Sequence, residues 1–203
     1  MNATLKRALS GSVYVSIMWF GTFCSEISFH ILFAVILLVC LYEMYKLRKG
    51  KTKILAFLYV LAPLLLVHFY TQKIILFIFI LTWTFDTFAY FVGVKFGKHK
   101  IIPTVSPKKS WEGFVGGFIF TVTAAYLTAN YFPEVELNHA IAISLFLPLT
   151  ATIGDFTESY YKRKAGVKDS GNFIPGHGGM LDRIDGVIFA IPATILIIQP
   201  LAF

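Results

Sequence analysis

The chain has 203 residues, of which 57% are hydrophobic and only 14% charged, and its mean hydropathy is +0.71. A soluble domain needs more polar surface than this to cover its core, so the composition excludes one and points to a bilayer as the solvent. The formal net charge of +7 does not indicate nucleic-acid binding, because the basic residues flank apolar spans, a pattern suited to anionic headgroups and phosphate substrates.

Seven apolar stretches are long enough to cross a hydrocarbon core of roughly 30 Å as helices: residues 8–24, 27–45, 54–70, 74–94, 114–132, 140–156 and 184–201. They predict an all-α, polytopic membrane bundle formed as one integral membrane domain over 1–203, with N-terminal helices in 1–70 and catalytic helices and loops in 71–203. The first stretch follows Lys6 and Arg7 but ends without a small-residue cleavage site, which reads as a retained helix and not a signal peptide. It forms a tight hairpin with the second around "SEIS". Cys24 and Cys40 sit inside apolar runs without metal-ligand spacing and read as small core or lipid-facing residues. His30 and His68 are expected at the interfaces, and Glu43 is expected to form a surface pair with Lys46, three residues on.

All 18 lysines and arginines except Lys73 fall before the first span or in the loops after the second, fourth and sixth. The alternate loops hold Lys73 with Glu26, Glu134 and Glu136. The positive-inside rule then places the N-terminus in the cytoplasm and the C-terminus outside, with the basic loops on the cytoplasmic face.

Four aspartates lie in or against the spans: Asp86 in "WTFDTFAY", Asp155 in "ATIGDFTESYYK", and Asp182 and Asp185 in "LDRID". A charge at the centre of a lone membrane helix costs roughly 2.5 to 3.5 kcal/mol, so these groups require compensation. Helical spacing puts Asp86, Tyr90, Gly93 and Gly97 on one face, and Asp155, Ser159 and Lys162 on another. Asp182 and Asp185 share a face if the last helix begins near Leu181. Carboxylates gathered in a low dielectric stay ionised together only with a cation, so the acids predict a metal or a proton pathway. Oxygen-only donors favour Mg²⁺, Mn²⁺ or Ca²⁺ over zinc.

Two cytoplasmic loops, "GKHKIIPTVSPKKSWEGFVGG" and "YKRKAGVKDSGNFIPGHGGM", combine lysines with glycine and proline. Glycine lets backbone N–H groups approach phosphate oxygens, while lysine and arginine add charge, a composition suited to polyphosphate. Ser110 is placed to cap a helix beginning at Trp111. The sequence contains no Walker A loop, dinucleotide fingerprint or GxSxG elbow. Metal-assisted phosphoryl or nucleotidyl transfer fits what is present.

Ser159, Lys162, Arg163, Lys168, Asp169, Gly171, Ile174, Pro175, His177, Gly178, Gly179, Asp182, Arg183 and Asp185 resemble the C-terminal signature of the phosphatidate cytidylyltransferases, or CDP-diacylglycerol synthases. The block "DTFAYFVGVKFGKHKIIPTVSPKKSWEG" is similar to that family's central region. Tyr161 departs from the usual aliphatic or Phe at a packing position, and the chain is shorter than many members. The resemblance implies that CTP and phosphatidic acid become CDP-diacylglycerol and pyrophosphate. Catalysis is implied for Asp155, Lys162, Asp182 and Asp185, with the three aspartates on Mg²⁺ and a second cation such as K⁺ left open. Substrate binding is implied for Asp86, Lys108, Lys109, Ser159, Arg163, Lys168, His177, Gly178, Gly179 and Arg183. The implied partners are CTP, phosphatidic acid and membrane lipids, with a homodimer left open and no nucleic acid. The implied location is a bacterial cytoplasmic membrane, with the active site facing the cytoplasm. A CTP-dependent polyprenol kinase would need a base for its alcohol acceptor. A CDP-alcohol phosphotransferase would need a "DG…AR…G…D…D" pattern that is absent, and an ion-coupled transporter would leave "GHGGMLDRID" unexplained.

Overall fold

The computed structural model describes residues 3–48 and 53–198. Lys49, Lys51 and the last three residues of the 184–201 span lie outside the described residues, as do the side chains of Lys6, Arg7 and Lys53. The described residues form helices α1 (Ala3–Phe23), α2 (Glu26–Leu47), α3 (Lys53–Leu66), α4 (Gln72–Phe96), α5 (Trp111–Thr128), α6 (Leu137–Ala165) and α7 (Leu181–Ile198). Short 3₁₀ turns extend α3 and α5, at Val67–Phe69 and Ala129–Tyr131. Among the described residues there are no strands, only isolated bridges between Lys100 and Ser110 and between Ile174 and Gly178.

All seven expected helices form, but membrane crossing is narrower on length and composition. Among the described residues, four helical stretches are long and apolar enough to span a bilayer: Glu26–Leu47, Gln72–Phe96, Trp111–Tyr131 and Leu137–Ala165. Leu9–Phe23 and Ile54–Phe69 are shorter apolar helices, and α7 carries Asp182, Arg183 and Asp185 at its start.

The chain divides into two compact units, Met1–Gln72 with Tyr160–Asp185, and Lys73–Ser159 with Gly186–Phe203. In the first, α1 and α2 form the expected hairpin. The Ser28 backbone N–H donates to Ser25 Oγ and the Ser25 N–H to Ser28 Oγ, each at 3.0 Å, a reciprocal cap that starts α2. Phe29, Phe33, Ile36, Cys40 and Met44 form the buried stripe of α2. Cys24 is exposed and Cys40 buried, and neither is in a disulfide.

In the second unit, α4 and α5 pack closely. A Cβ on Gly117 would lie 2.7 Å from the Phe85 ring and 2.8 Å from its carbonyl oxygen, so a side chain there would push the helices apart. Phe88 and Phe120 stack with their centroids 3.7 Å apart. This close approach aligns the polar ends of α4 and α5 around the first basic loop.

Candidate active site

The second basic loop is organised around Asp182, in the first turn of α7, which starts at Leu181 as the spacing required. Asp182 Oδ1 accepts from Lys162 Nζ at 2.7 Å. Its Oδ2 accepts from the backbone N–H of Ser170 at 2.8 Å, the Ser170 hydroxyl at 3.0 Å and the Gly179 N–H at 2.7 Å. The side chains of Lys162 and Asp182 are only 11% and 6% exposed, so the pair is shielded from water. A carboxylate on backbone N–H groups at a helix start also meets the favourable end of the helix dipole.

Between Ile174 and Gly178 the loop closes on itself. The Ile174 N–H donates to the Gly178 carbonyl and the His177 N–H to the Ile174 carbonyl, each at 2.9 Å. Gly176 and Gly178 take φ of +81° and +89°, left-handed conformations that explain glycine at both positions. Ser10 of α1 donates its hydroxyl proton to the Pro175 carbonyl at 2.7 Å and lies 3.0 Å from His177 Nδ1. Because the serine proton is already committed, His177 donates from Nδ1 in that contact. Arg183 Nη2 donates to the His177 carbonyl at 2.9 Å, and Arg163 Nη1 to the Val167 carbonyl at 3.1 Å. Both guanidinium groups, and Lys168, stand exposed at the loop surface.

Glu43 corrects the sequence reading. Instead of forming a surface pair with Lys46, it is 3% exposed, and its carboxylate accepts from the Met180 N–H at 3.0 Å, the Leu181 N–H at 2.8 Å and the Ser170 hydroxyl at 2.8 Å. Burying a carboxylate is costly without donors, and the start of α7 supplies them. The available signal was an acid within an otherwise apolar helical run, with only a short-range lysine to offset it.

The second unit contains a cavity of about 590 Å³ whose lining includes Asp86, Tyr90, Gly93 and Gly97, the stripe expected on α4. Lys100, Lys108 and Lys109 also line it. The Ser110 side chain accepts from the Gly113 N–H at 3.2 Å, the cap expected at the start of α5. Glu112 ties the loop back, accepting from the Lys98 and His99 backbone N–H groups at 3.2 Å and contacting His99 Nδ1 at 2.6 Å. Lys109 forms an ion pair with Asp155, whose side chain is 13% exposed. A Cβ on Gly186 would lie 3.3 Å from Asp155 Oδ1, so that carboxylate rests against α7.

Among the described residues, no group of three or more His, Cys, Asp and Glu is placed to hold a metal ion. Asp155 and Asp182 instead each hold a lysine ammonium. Of the residues expected at the site, Lys162, Gly179 and Asp182 share one hydrogen-bond cluster, while Asp86, Lys108 and Lys109 line the cavity. Ser159, half-buried, lies on α6, the same helix as Lys162, before its end at Ala165.

These clusters place phosphate-suited cations beside buried carboxylates, and comparison with known proteins gives the same direction. Residues 54–201 match the cytidylyltransferase family. The chain belongs to that family. It is 46% identical over 124 residues to a phosphatidate cytidylyltransferase of Thermotoga maritima, covering 58% of this chain and 46% of that protein. The corresponding Haemophilus influenzae protein is 44% identical over 124 residues, covering 59% of this chain and 43% of that protein. A Staphylococcus aureus protein of the same name is 45% identical over 128 residues, covering 62% and 49%. The matched stretches thus span less than half the length of each relative.

Proposed function

We propose that this cytidylyltransferase-family protein transfers the cytidylyl group of CTP to phosphatidic acid, giving CDP-diacylglycerol and pyrophosphate. The observation that carries the reading is the hub at Asp182, which ties Lys162, Ser170 and Gly179 of the signature loop to the start of α7. The relatives' shared name, phosphatidate cytidylyltransferase, supports the choice of substrates.

In the proposed reaction, a phosphate oxygen of phosphatidic acid attacks the α-phosphorus of CTP. A new P–O–P linkage forms, the bond from the α-phosphorus to the α,β-bridging oxygen breaks, and that oxygen leaves with pyrophosphate. The attacking oxygen is already anionic, so no general base is required. The protein must instead bring two highly negative groups together. Lys162 is fixed by Asp182, while Arg163, Lys168 and Arg183 present charge at the loop surface to phosphate oxygens. Lys108 and Lys109 do the same from the cavity wall, with Ser110 and Glu112 holding their loop in shape. Asp86 would orient a polar group of the substrate in that cavity, and His177, Gly178 and Gly179 shape the phosphate-facing turn.

Magnesium fits the donor chemistry, because Mg²⁺ commonly takes one or two carboxylates and completes its shell with water and substrate phosphates. Asp182 and Asp185, at the start of α7, are the carboxylates that would hold it. Asp182 already accepts a cationic partner, which supports its suitability for positive charge. When bound, the ion would neutralise phosphate charge during transfer.

The distribution of basic loops supports a cytoplasmic N-terminus, seven crossings and a cytoplasmic site, and the bacterial sources of the relatives support a bacterial inner membrane. The test uses purified full chain in detergent with Mg²⁺ and CTP. Pyrophosphate release that depends on phosphatidic acid, with matching CDP-diacylglycerol, is expected. Transfer of the terminal phosphate of CTP to a lipid alcohol, or no turnover with phosphatidic acid, would refute the reading.

A further inference from the structure

We infer that Glu43 is a positioning residue for this reaction: from α2 it fixes the signature loop through Ser170 and the first turn of α7, and so sets the position of Asp182. This rests on the cytidylyl-transfer reading above. Glu43 lies outside the segment 54–201 that matches the family, and nothing in the signature itself names a partner for the loop.

The geometry joins two carboxylates through one residue. The Ser170 Oγ lies 2.8 Å from Glu43 Oε2 and 3.0 Å from Asp182 Oδ2. Its single hydroxyl proton therefore serves two acceptors. The Ser170 backbone N–H donates to Asp182 as well, so moving Ser170 moves two of the contacts that hold Asp182. On the other side, Glu43 accepts from the N–H groups of Met180 and Leu181, immediately before Asp182. Asp182 is thus held from its loop partner and from its own backbone by the same buried carboxylate.

Gly171 carries the second observation. A Cβ there would meet Glu43 Oε1 at 2.5 Å, Cδ at 3.0 Å and Cγ at 3.3 Å, and these are its three nearest atoms. The glycine of the signature therefore leaves room for a side chain supplied from outside it. Lys162, held by Asp182, gains its fixed position by the same chain of contacts.

The test compares wild type, Glu43→Gln, Ser170→Ala, Glu43→Ala, Gly171→Ala and the Glu43→Ala/Gly171→Ala double variant as full chains in detergent. Rates are taken on the monodisperse folded fraction, below the melting transition of each protein. Glu43→Gln keeps the shape but puts an amide N–H₂ against N–H donors. Its kcat is expected to fall about 10- to 100-fold, the usual range for a group that orients a reacting one. Its KM for CTP should stay within about twofold, since Glu43 is buried behind the loop. An unchanged kcat, or a loss confined to KM, overturns the inference. If Glu43→Gln does not fold, Ser170→Ala decides by the same split, because it removes the hydroxyl common to both carboxylates. In the double variant the losses should not multiply: Gly171→Ala should cost little once the Glu43 side chain is gone. Fully multiplicative losses overturn the inference. Wild type that makes no CDP-diacylglycerol defeats the functional reading instead. Thermal melts of the same Glu43 and Gly171 variants then decide the contact, with non-additive shifts supporting it and additive shifts refuting it.

Discussion

Replacing Asp182 by Asn tests the centre of the site. Asn is nearly isosteric and has one carbonyl oxygen. Turned toward Gly179 and Ser170, that oxygen keeps the backbone N–H groups at 2.7 and 2.8 Å, but the amide N–H₂ then faces the ammonium of Lys162. Turned the other way, it keeps Lys162 and loses both backbone donors, so the first orientation costs less. Breaking one side of a buried ion pair costs about 3 to 5 kcal/mol. The surviving hydrogen bonds place this case near the lower end, about 3 kcal/mol. At 1.4 kcal/mol per factor of ten, that is roughly a hundredfold shift toward an open loop. In detergent, the melting temperature of Asp182→Asn should fall by roughly 6 to 12 °C, and kcat by at least about a hundredfold. Adding Lys162→Met removes the stranded ammonium, and this double variant should recover most of the melting temperature, since replacing both members of a buried pair is often neutral. Turnover should remain lost, because the cation is gone too. Activity of Asp182→Asn within about threefold of wild type, measured as CDP-diacylglycerol formed, would refute the reasoning.

The second unit offers three further tests. Ser110→Ala removes the cap on the Gly113 N–H and should cost about 1 kcal/mol, read as a lower melting temperature, with an unchanged melt refuting the cap's contribution. Lys109→Gln removes a cation from the cavity wall and from Asp155, and the KM for CTP or phosphatidic acid should rise roughly tenfold, the effect of losing one charge-assisted contact; unchanged KM values for both would remove Lys109 from binding. Between α5 and α6, Glu134 sits 2.6 Å from Lys73, and the hydrogen bond from that ammonium holds its carboxyl below the ordinary carboxylate range. Its contribution to stability is therefore full above that range and is lost as pH falls through the lowered value. The melting-temperature advantage of wild type over Glu134→Gln should be small, since the pair is partly exposed, and should close in acid. A gap independent of pH would refute the assignment.

What the sequence made legible was whatever depends on neighbours along the chain. The stripe Asp86, Tyr90, Gly93 and Gly97 follows from 3.6 residues per turn, and those residues do face one cavity. The Ser110 cap and the start of α7 at Leu181 follow from local rules for helix ends and from the spacing of Asp182 and Asp185. Glu43 was misread for the complementary reason. Its nearest charged neighbour in sequence is Lys46, whereas its hydrogen-bond partners lie 127 to 138 residues away. Periodicity assigns a residue to a face but does not say what that face will meet. The same limit applies to the acids as a set: helical spacing puts Asp155, Ser159 and Lys162 onto one face, yet the partner that neutralises Asp155 is Lys109 of the first basic loop, and Lys162 pairs with Asp182, twenty residues on. A lone acid in an apolar helix is nevertheless a usable warning. Desolvating it costs more than a three-residue pairing with an exposed lysine returns, so its compensating donors should be sought at the unsatisfied N–H groups of another helix start. In this chain that search leads from Glu43 to Leu181, and thus to the residue on which the proposed chemistry turns.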